Sequence, residues 1–207
     1  MFVYMDHTAT TPTSPEVLKA MMPYFGEMFG NPSSVYSFSR KSRAAIEKAR
    51  SQVASALNAD PSEIFFTGSG TEADNWAVRG VTEASGKRHV VTSAIEHKAV
   101  LNSCRYLERH GFEVTYVEPD EKGIVNPRDV EAAIRPDTGL VSVMYANNEI
   151  GTIQPVDYIA DVCYERGVPF HTDAVQAYLH TPIDASRFDL MSVSAHKFHG
   201  PKGVGFL

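Results

Sequence analysis

From about residue 63 onward, short runs rich in Val, Ile, Thr and aromatic residues alternate with longer stretches whose apolar positions recur every three to four residues. The runs predict strands at 64–67, 89–93, 113–117, 140–145, 169–172 and 190–194, with another opening at 204–207. The stretches between them predict helices at 71–84, 98–110, 127–134 and 156–166, the third capped by Asn126 with Pro127 at its first position. Two more helices precede the first strand. Ser14 caps one of them ahead of Pro15, and the other, 42–57, carries Ala45, Ile46, Ala49, Val53, Ala56 and Leu57 at helical spacing. Alternation of this kind is what a mostly parallel sheet with helices on both faces produces, so the expected class is α/β. No internal repeat or low-complexity linker interrupts it.

At 207 residues the chain can bury a sizeable core as one large domain, or one and part of another. Apolar and charged fractions of 43% and 21% are ordinary for a soluble globular protein, and a net charge of −6 gives no electrostatic reason to expect nucleic acid or an anionic membrane as partner. The two cysteines, Cys104 and Cys163, stand far apart with no C-x-x-C or Cys/His cluster, which argues against a metal site or a disulfide framework and for a reducing compartment. Residues 1–13 lack the basic start and apolar core of a signal peptide, and no stretch stays apolar for the ~18 residues of a membrane span. A cytoplasmic location is therefore expected. The sequence stops at Gly205-Phe206-Leu207, inside an expected strand, so the C-terminus is expected to be incomplete through engineered truncation, a split gene product or proteolysis.

In an open parallel sheet, ligands bind beyond the carboxyl ends of the strands, and the residues there are unusually polar in this chain. Gly68-Ser69-Gly70-Thr71 follows the first strand and opens a helix, where exposed backbone N–H groups suit a phosphate, although a Gly-rich turn capped by Thr71 looks the same. Glu96-His97 opens the next helix and sets an imidazole over the same cleft, to stack, to shuttle a proton or merely to satisfy a helix start. Asn147-Asn148-Glu149 ends a further strand, and an Asx turn explains one Asn more readily than both. His171-Thr172-Asp173-Ala174-Val175-Gln176 ends another, with Asp173 either a helix cap or the partner that keeps a heterocyclic nitrogen protonated. The densest segment runs from Ser194 through His196, Lys197 and His199 to Gly203. A lysine directly after an apolar strand, among other positive groups, has its pKa lowered, which an imine-forming amine needs. Lys202 is the rival, but its Gly-Pro-Lys-Gly setting reads as a turn.

Together, the segments MDHTATT, NPSS, FTGSGTEADN, EHKAV, NNEIGTIQP, HTDAVQA and SAHKFHGPKGVG, in this order over nearly the whole chain, resemble aminotransferase class V enzymes, most closely the cysteine desulfurases. The resemblance implies a type I fold of pyridoxal 5′-phosphate (PLP) enzymes, with residues 1–207 forming the PLP-binding large domain and an N-terminal helical segment, and with the C-terminal small domain absent. It implies PLP as cofactor, held covalently by Lys197, with Asp173 on the pyridine nitrogen and His97 stacked on the ring. Asn148 and Gln176 would flank the ring substituents, while Thr71, the Gly70 backbone, Ser194 and His196 would hold the phosphate, each offering a donor. Lys197 and His97 are the expected catalytic residues. The implied substrate is L-cysteine, whose sulfur passes to a mobile-loop cysteine and leaves alanine and a persulfide for iron–sulfur cluster or thio-cofactor synthesis. A homodimer is implied for the full-length enzyme, with sulfur-acceptor or scaffold proteins as further partners.

The chain departs from the family at two places. Tyr36 and Ser39 stand where a His and a Gly usually follow NPSS, and Leu179-His180 stands where Gly-Lys usually follows VQA. The sulfur-accepting cysteine, the arginine for the substrate carboxylate and the smaller domain are expected beyond Leu207, and neither Cys104 nor Cys163 matches the acceptor position. The 207 residues alone are thus expected to lack turnover. Three alternatives stand beside this reading: a selenocysteine lyase or another class V lyase; a non-catalytic fragment; and a dinucleotide-binding module, since Gly68 to Ala73 fits G-x-G-x-x-A with Glu96 roughly 20–25 residues on.

Overall fold

The computed structural model describes Met1 and residues 3–207. Ser14 accepts the Val17 N–H to start α1 (Pro15–Met21), and α2 (Ser39–Leu57) begins three residues earlier than its apolar pattern predicts and closes on Asn58 in the left-handed conformation, φ 55°. Its buried stripe uses Ala54 and Leu57, whereas Ala56 faces solvent. The strands are β1 (Phe66–Thr67), β2 (His89–Ser93), β3 (Glu113–Val117), β4 (Thr138–Ser142), β5 (Phe170–Asp173), β6 (Leu190–Ser194) and β7 (Gly205–Phe206). Between them lie α3 (Gly70–Asn75), α4 (Thr82–Ala84), α5 (Lys98–Arg109), α6 (Pro127–Ala133) and α7 (Val156–Arg166).

The seven strands form one sheet in the order β1-β7-β6-β5-β4-β2-β3. Strands β6, β5, β4, β2 and β3 are parallel, while β7 runs antiparallel to both its neighbours, so β1 points the same way as the parallel five. Six strands therefore end on one edge of the sheet. Side-chain alternation distributes the core to both faces. Val90 and Leu140 pack with Val78, Val100, Cys104 and Leu107 on the face carrying α3 and α5. Their neighbours Val91 and Val141 pack with Val130, Ile159, Cys163 and Phe170 on the face carrying α6 and α7. A third cluster joins Ala54 and Leu57 of α2 to Met191, Val193 and Phe206. The mostly parallel, two-faced α/β arrangement expected from the sequence is thus observed, with β7 as the antiparallel exception.

The boundaries that differ have local causes. β4 starts at Thr138 and ends at Ser142 rather than running over 140–145, yet the N–H groups of Val143 and Tyr145 still donate to the His171 and Asp173 carbonyls at 3.1 and 2.9 Å. β1 is shorter than 64–67, although Phe65 exchanges both backbone hydrogen bonds with Leu207 at 2.8 and 2.9 Å. The helix expected at 71–84 begins at Gly70, widens into a π-helical turn over Trp76–Val81 and closes as α4. Its cap is Ser69, whose Oγ accepts the Glu72 N–H at 3.1 Å, and not Thr71. Among the described residues no helix is long and apolar enough to cross a membrane.

Candidate active site

Loops leaving the carboxyl ends of the strands enclose a cavity of about 510 Å³, a usual size for a small-molecule site. Gly70, Thr71, His97, Asn148, Asp173, Gln176, Ser194, His196 and Lys197 all line it, so the nine residues that the resemblance assigns to the cofactor are brought to one place.

One end of the cavity is a helix start. The N–H groups of Gly70 and Thr71 have no intrahelical partner at that position, and the helix dipole makes the spot favourable for an anion. A Cβ at Gly70 would lie 2.9 Å from Val175 Cγ2 and 3.1 Å from Ser194 Cβ, so only glycine lets the helix start approach the ends of β5 and β6 this closely. His196 adds a ring whose Nδ1 lies 3.0 Å from Thr10 Oγ1. Burial, with Lys197 and Lys202 nearby, lowers its pKa and favours the neutral imidazole.

At the rim Lys197 is half-buried, and its Nζ donates to the carbonyls of Thr8 and, at 3.2 Å, Ala9. Burial lowers the pKa of this amine, with Asp173 and Asp6 opposing. Lys202 also borders the cavity but is exposed. His97 caps α5 through Nδ1, which accepts the Ala99 N–H at 3.2 Å; in the neutral ring the proton is then on Nε2. The helix-start role and a role in the cleft are therefore compatible. The two asparagines divide the work. Asn147 Oδ1 accepts the N–H groups of Glu149 and Ile150 at 2.8 and 3.0 Å, making the Asx turn, while Asn148 lines the cavity with its Nδ2 2.9 Å from Glu149 Oε1.

The floor is acidic. Asp173 is buried and accepts the Val175 N–H at 2.9 Å; burial raises its pKa, against the pull of that N–H, His97 and Lys197. Beside it Asp74, from α3, is 1% exposed, and its Oδ1 has no hydrogen-bond partner. Burial, then the Asp173 charge, push its pKa well above the usual carboxylate range. The sequence reading did not single out Asp74. Its signal was available, because it falls among Ala73, Ala77 and Val78 on the buried side of its helix, where a carboxylate has no structural reason to be. Asp74, His97 and Asp173 each bring one donor atom to within 4.8 Å of the others, the only such grouping of His, Cys, Asp and Glu among the described residues.

The N-terminal segment was also missed as part of the site. Thr11 donates through both N and Oγ1 to the His196 carbonyl at 2.9 Å, the His199 N–H returns to Thr11 Oγ1 at 2.7 Å, and Gln176 Nε2 donates to the Thr8 carbonyl at 2.9 Å. Ala9 and Thr10 thereby become cavity walls. Contacts spanning most of the chain leave no local pattern in a sequence.

The dinucleotide reading is corrected by Glu96, the residue it needs for a ribose. Glu96 is buried and accepts Ser93 Oγ at 2.6 Å and the Met144 N–H at 2.8 Å, and burial pushes its pKa up to about 8. It is committed to the protein interior. Cys104 in α5 and Cys163 in α7 are fully buried away from the cavity, and burial pushes both thiols up to about 12.

Known proteins are similar to this chain in sequence and in fold. The sequence model described as aminotransferase class-V matches residues 3–207. A cysteine desulfurase IscS of Clostridium botulinum is 55% identical over 209 aligned positions, covering 99% of this chain and 53% of the relative. Among solved structures, SspA in complex with cysteine superposes with a TM-score of 0.97 at 42% identity, covering 99% of this chain and 60% of that one. A NifS-like protein gives 0.96 at 43% identity, covering 100% and 58%. The chain spans about half the length of the curated relatives it matches.

Proposed function

Because the chain belongs to the aminotransferase class V family, we propose that it is the cofactor-holding large domain of a PLP-dependent cysteine desulfurase, which removes sulfur from L-cysteine to leave alanine and a persulfide on an acceptor thiol. The observation that carries this reading is the cavity itself, where an amine with a lowered pKa, a buried carboxyl and a helix-start anion cradle meet. The similarity to the desulfurase named above and to a protein solved with cysteine supports the substrate.

The residues present fit PLP. Glycine at position 70 lets the helix start close onto Val175 and Ser194 with its N–H groups at the cavity, and the polar floor offers Asp173 to a cationic nitrogen, with the unpartnered Asp74 Oδ1 behind it. Lys197 would attach the cofactor, Asp173 would hold the proton of the ring nitrogen and His97 would stack on the ring. The phosphate would sit on the Gly70 and Thr71 N–H groups, Thr71, Ser194 and His196, with Asn148 and Gln176 beside the ring substituents. When bound, PLP supplies an electron sink for the bonds at the substrate's Cα and Cβ. Lys197 Nζ, whose pKa burial lowers, is then the group placed to move a proton at the substrate Cα. The Thr8 and Ala9 carbonyls hold that amine at the rim.

Sulfur transfer needs a thiolate that reaches the substrate sulfur, and these residues offer none, because both thiols are buried in helices and held protonated. The 207 residues by themselves are accordingly proposed to bind without turning over, and the whole enzyme to act as a cytoplasmic homodimer. To test this, the chain and Lys197→Ala are titrated with PLP, and sulfide and alanine are then measured together over many equivalents of L-cysteine with a reductant. A saturable visible band that depends on Lys197, with no multiple turnover, is expected. Absence of the band contradicts the cofactor assignment, and Lys197-dependent turnover contradicts the assignment of the thiols.

A further inference from the structure

Beneath the cavity floor lies a polar cluster that the roles above leave unused. Asp74 of α3 is faced by Asp173 and His171 of β5, by Ser192 of β6 and by Glu96 and His97 at the start of α5, with Lys197 at the rim on the Asp173 side. His171 is fully buried between Ser142 Oγ and Ser192 Oγ, each 2.9 Å from a ring nitrogen. Its Nε2 is 3.7 Å from Asp74 Oδ1, too long for a hydrogen bond. Burial pushes the His171 pKa down to about 3, so at neutral pH the ring carries no charge that could compensate an Asp74 carboxylate. Three carboxyls, Asp74, Glu96 and Asp173, thus share one interior.

The two aspartates are unequally served. Asp173 accepts a backbone N–H, and the charges of His97 and Lys197 favour its ionised form. Asp74 Oδ1 has no partner, only Ser192 assists ionisation, and the charges of Asp173 and Glu96 oppose it. Two close carboxyls in such surroundings do not both ionise, and the remaining proton stays where the anion is least supported.

We propose that Asp74 is a positioning residue for Asp173: a neutral carboxylic acid at pH 7 that leaves Asp173 as the single carboxylate presented to the cavity. The use of that carboxylate by a cationic ring nitrogen rests on the function proposed above; the proton count does not. Asp74 thereby keeps the floor at one negative charge, matched to one cationic partner. Its acid proton remains within the cluster of Asp173, Ser192 and His171.

The test uses the cofactor-free chain with 13C-labelled aspartate carboxyls, followed by NMR across pH. One buried aspartate signal should have the shift of a protonated acid at pH 7 and should vanish in Asp74→Asn. In that variant the Asp173 midpoint should stay where it was, because the acid replaced is already neutral over the range in which Asp173 titrates. In Asp173→Asn the Asp74 midpoint should fall by at least about one pH unit, because the opposing Asp173 charge has gone, and this provides a second reading if Asp74→Asn does not fold. An acid signal that persists in Asp74→Asn, or an Asp74 midpoint unmoved in Asp173→Asn, overturns the proposal. No cofactor enters this measurement, so a failure of PLP binding would be seen separately and would count only against the proposed function.

Discussion

Loss of water acts on nucleophilic side chains in two parts of this molecule, with opposite chemical results. In the seams between helices and sheet, Cys104 and Cys163 have their thiols pushed up to about 12, so they remain inert S–H groups. At the rim of the strand ends, the same loss of water lowers the pKa of Lys197 and favours the neutral, nucleophilic amine. Desolvation disfavours whichever form is charged, and the reactive form is charged for a thiol but neutral for an amine. Burial alone therefore silences one nucleophile and readies the other. Asp173 limits the effect at the rim by drawing the Lys197 pKa back up.

The largest effect expected from this contrast lies in the seam, at His171. Its folded-state pKa of about 3 lies below the ordinary value of 6.5, so between those limits the unfolded chain binds the extra proton and stability falls as pH drops. The contribution is on the order of 5 kcal/mol. Denaturant midpoints of the chain and of His171→Gln should diverge in slope by one proton between pH 6.5 and 3, and parallel curves would remove His171 from the account.

Next come the thiols. A thiol raised to about 12 from 9.0 forms roughly 1000-fold less thiolate at neutral pH. Reaction of Cys104 and Cys163 with a disulfide reagent should be slowed at least that much in the folded chain and restored by denaturant. Fast labelling of either would break the comparison at the seam. At the rim, Asp173→Asn in the full-length enzyme should keep the cofactor attached yet lower turnover at least ~100-fold, since an amide cannot hold the ring nitrogen protonated. Unchanged turnover would take Asp173 off that nitrogen.

The smallest effect sharpens the view of the rim. Leu179, exposed, has φ 62°, a conformation costly for a bulky side chain. Leu179→Gly should raise stability by about 1 kcal/mol in equilibrium unfolding, and a loss of stability would show that the side chain outweighs the backbone strain.

Sequence patterns located β2, β3, β6 and α7 to the residue, because each is bounded by a sharp change from apolar run to turn. The floor and cradle residues were legible for a related reason, as polar side chains directly after apolar strands. The reversed direction of β7 was not, since a two-residue strand carries no sign of which way it pairs. Asp74 was hidden by its helix: the second of two acids in TEADNWAVRG looks as solvent-facing as Glu72 unless the buried side of the helix is traced first. The N-terminal wall depends on pairings such as Thr11 with His196, and only folding brings those together.

Lys197 is the rim amine proposed to hold the cofactor. The most direct test loads the protein with PLP, reduces it with borohydride and maps the modified peptide by mass spectrometry. The pyridoxyl group is expected on Lys197 alone, with the exposed Lys202 clean. A label on Lys202 or elsewhere, with Lys197 unmodified, would contradict the assignment.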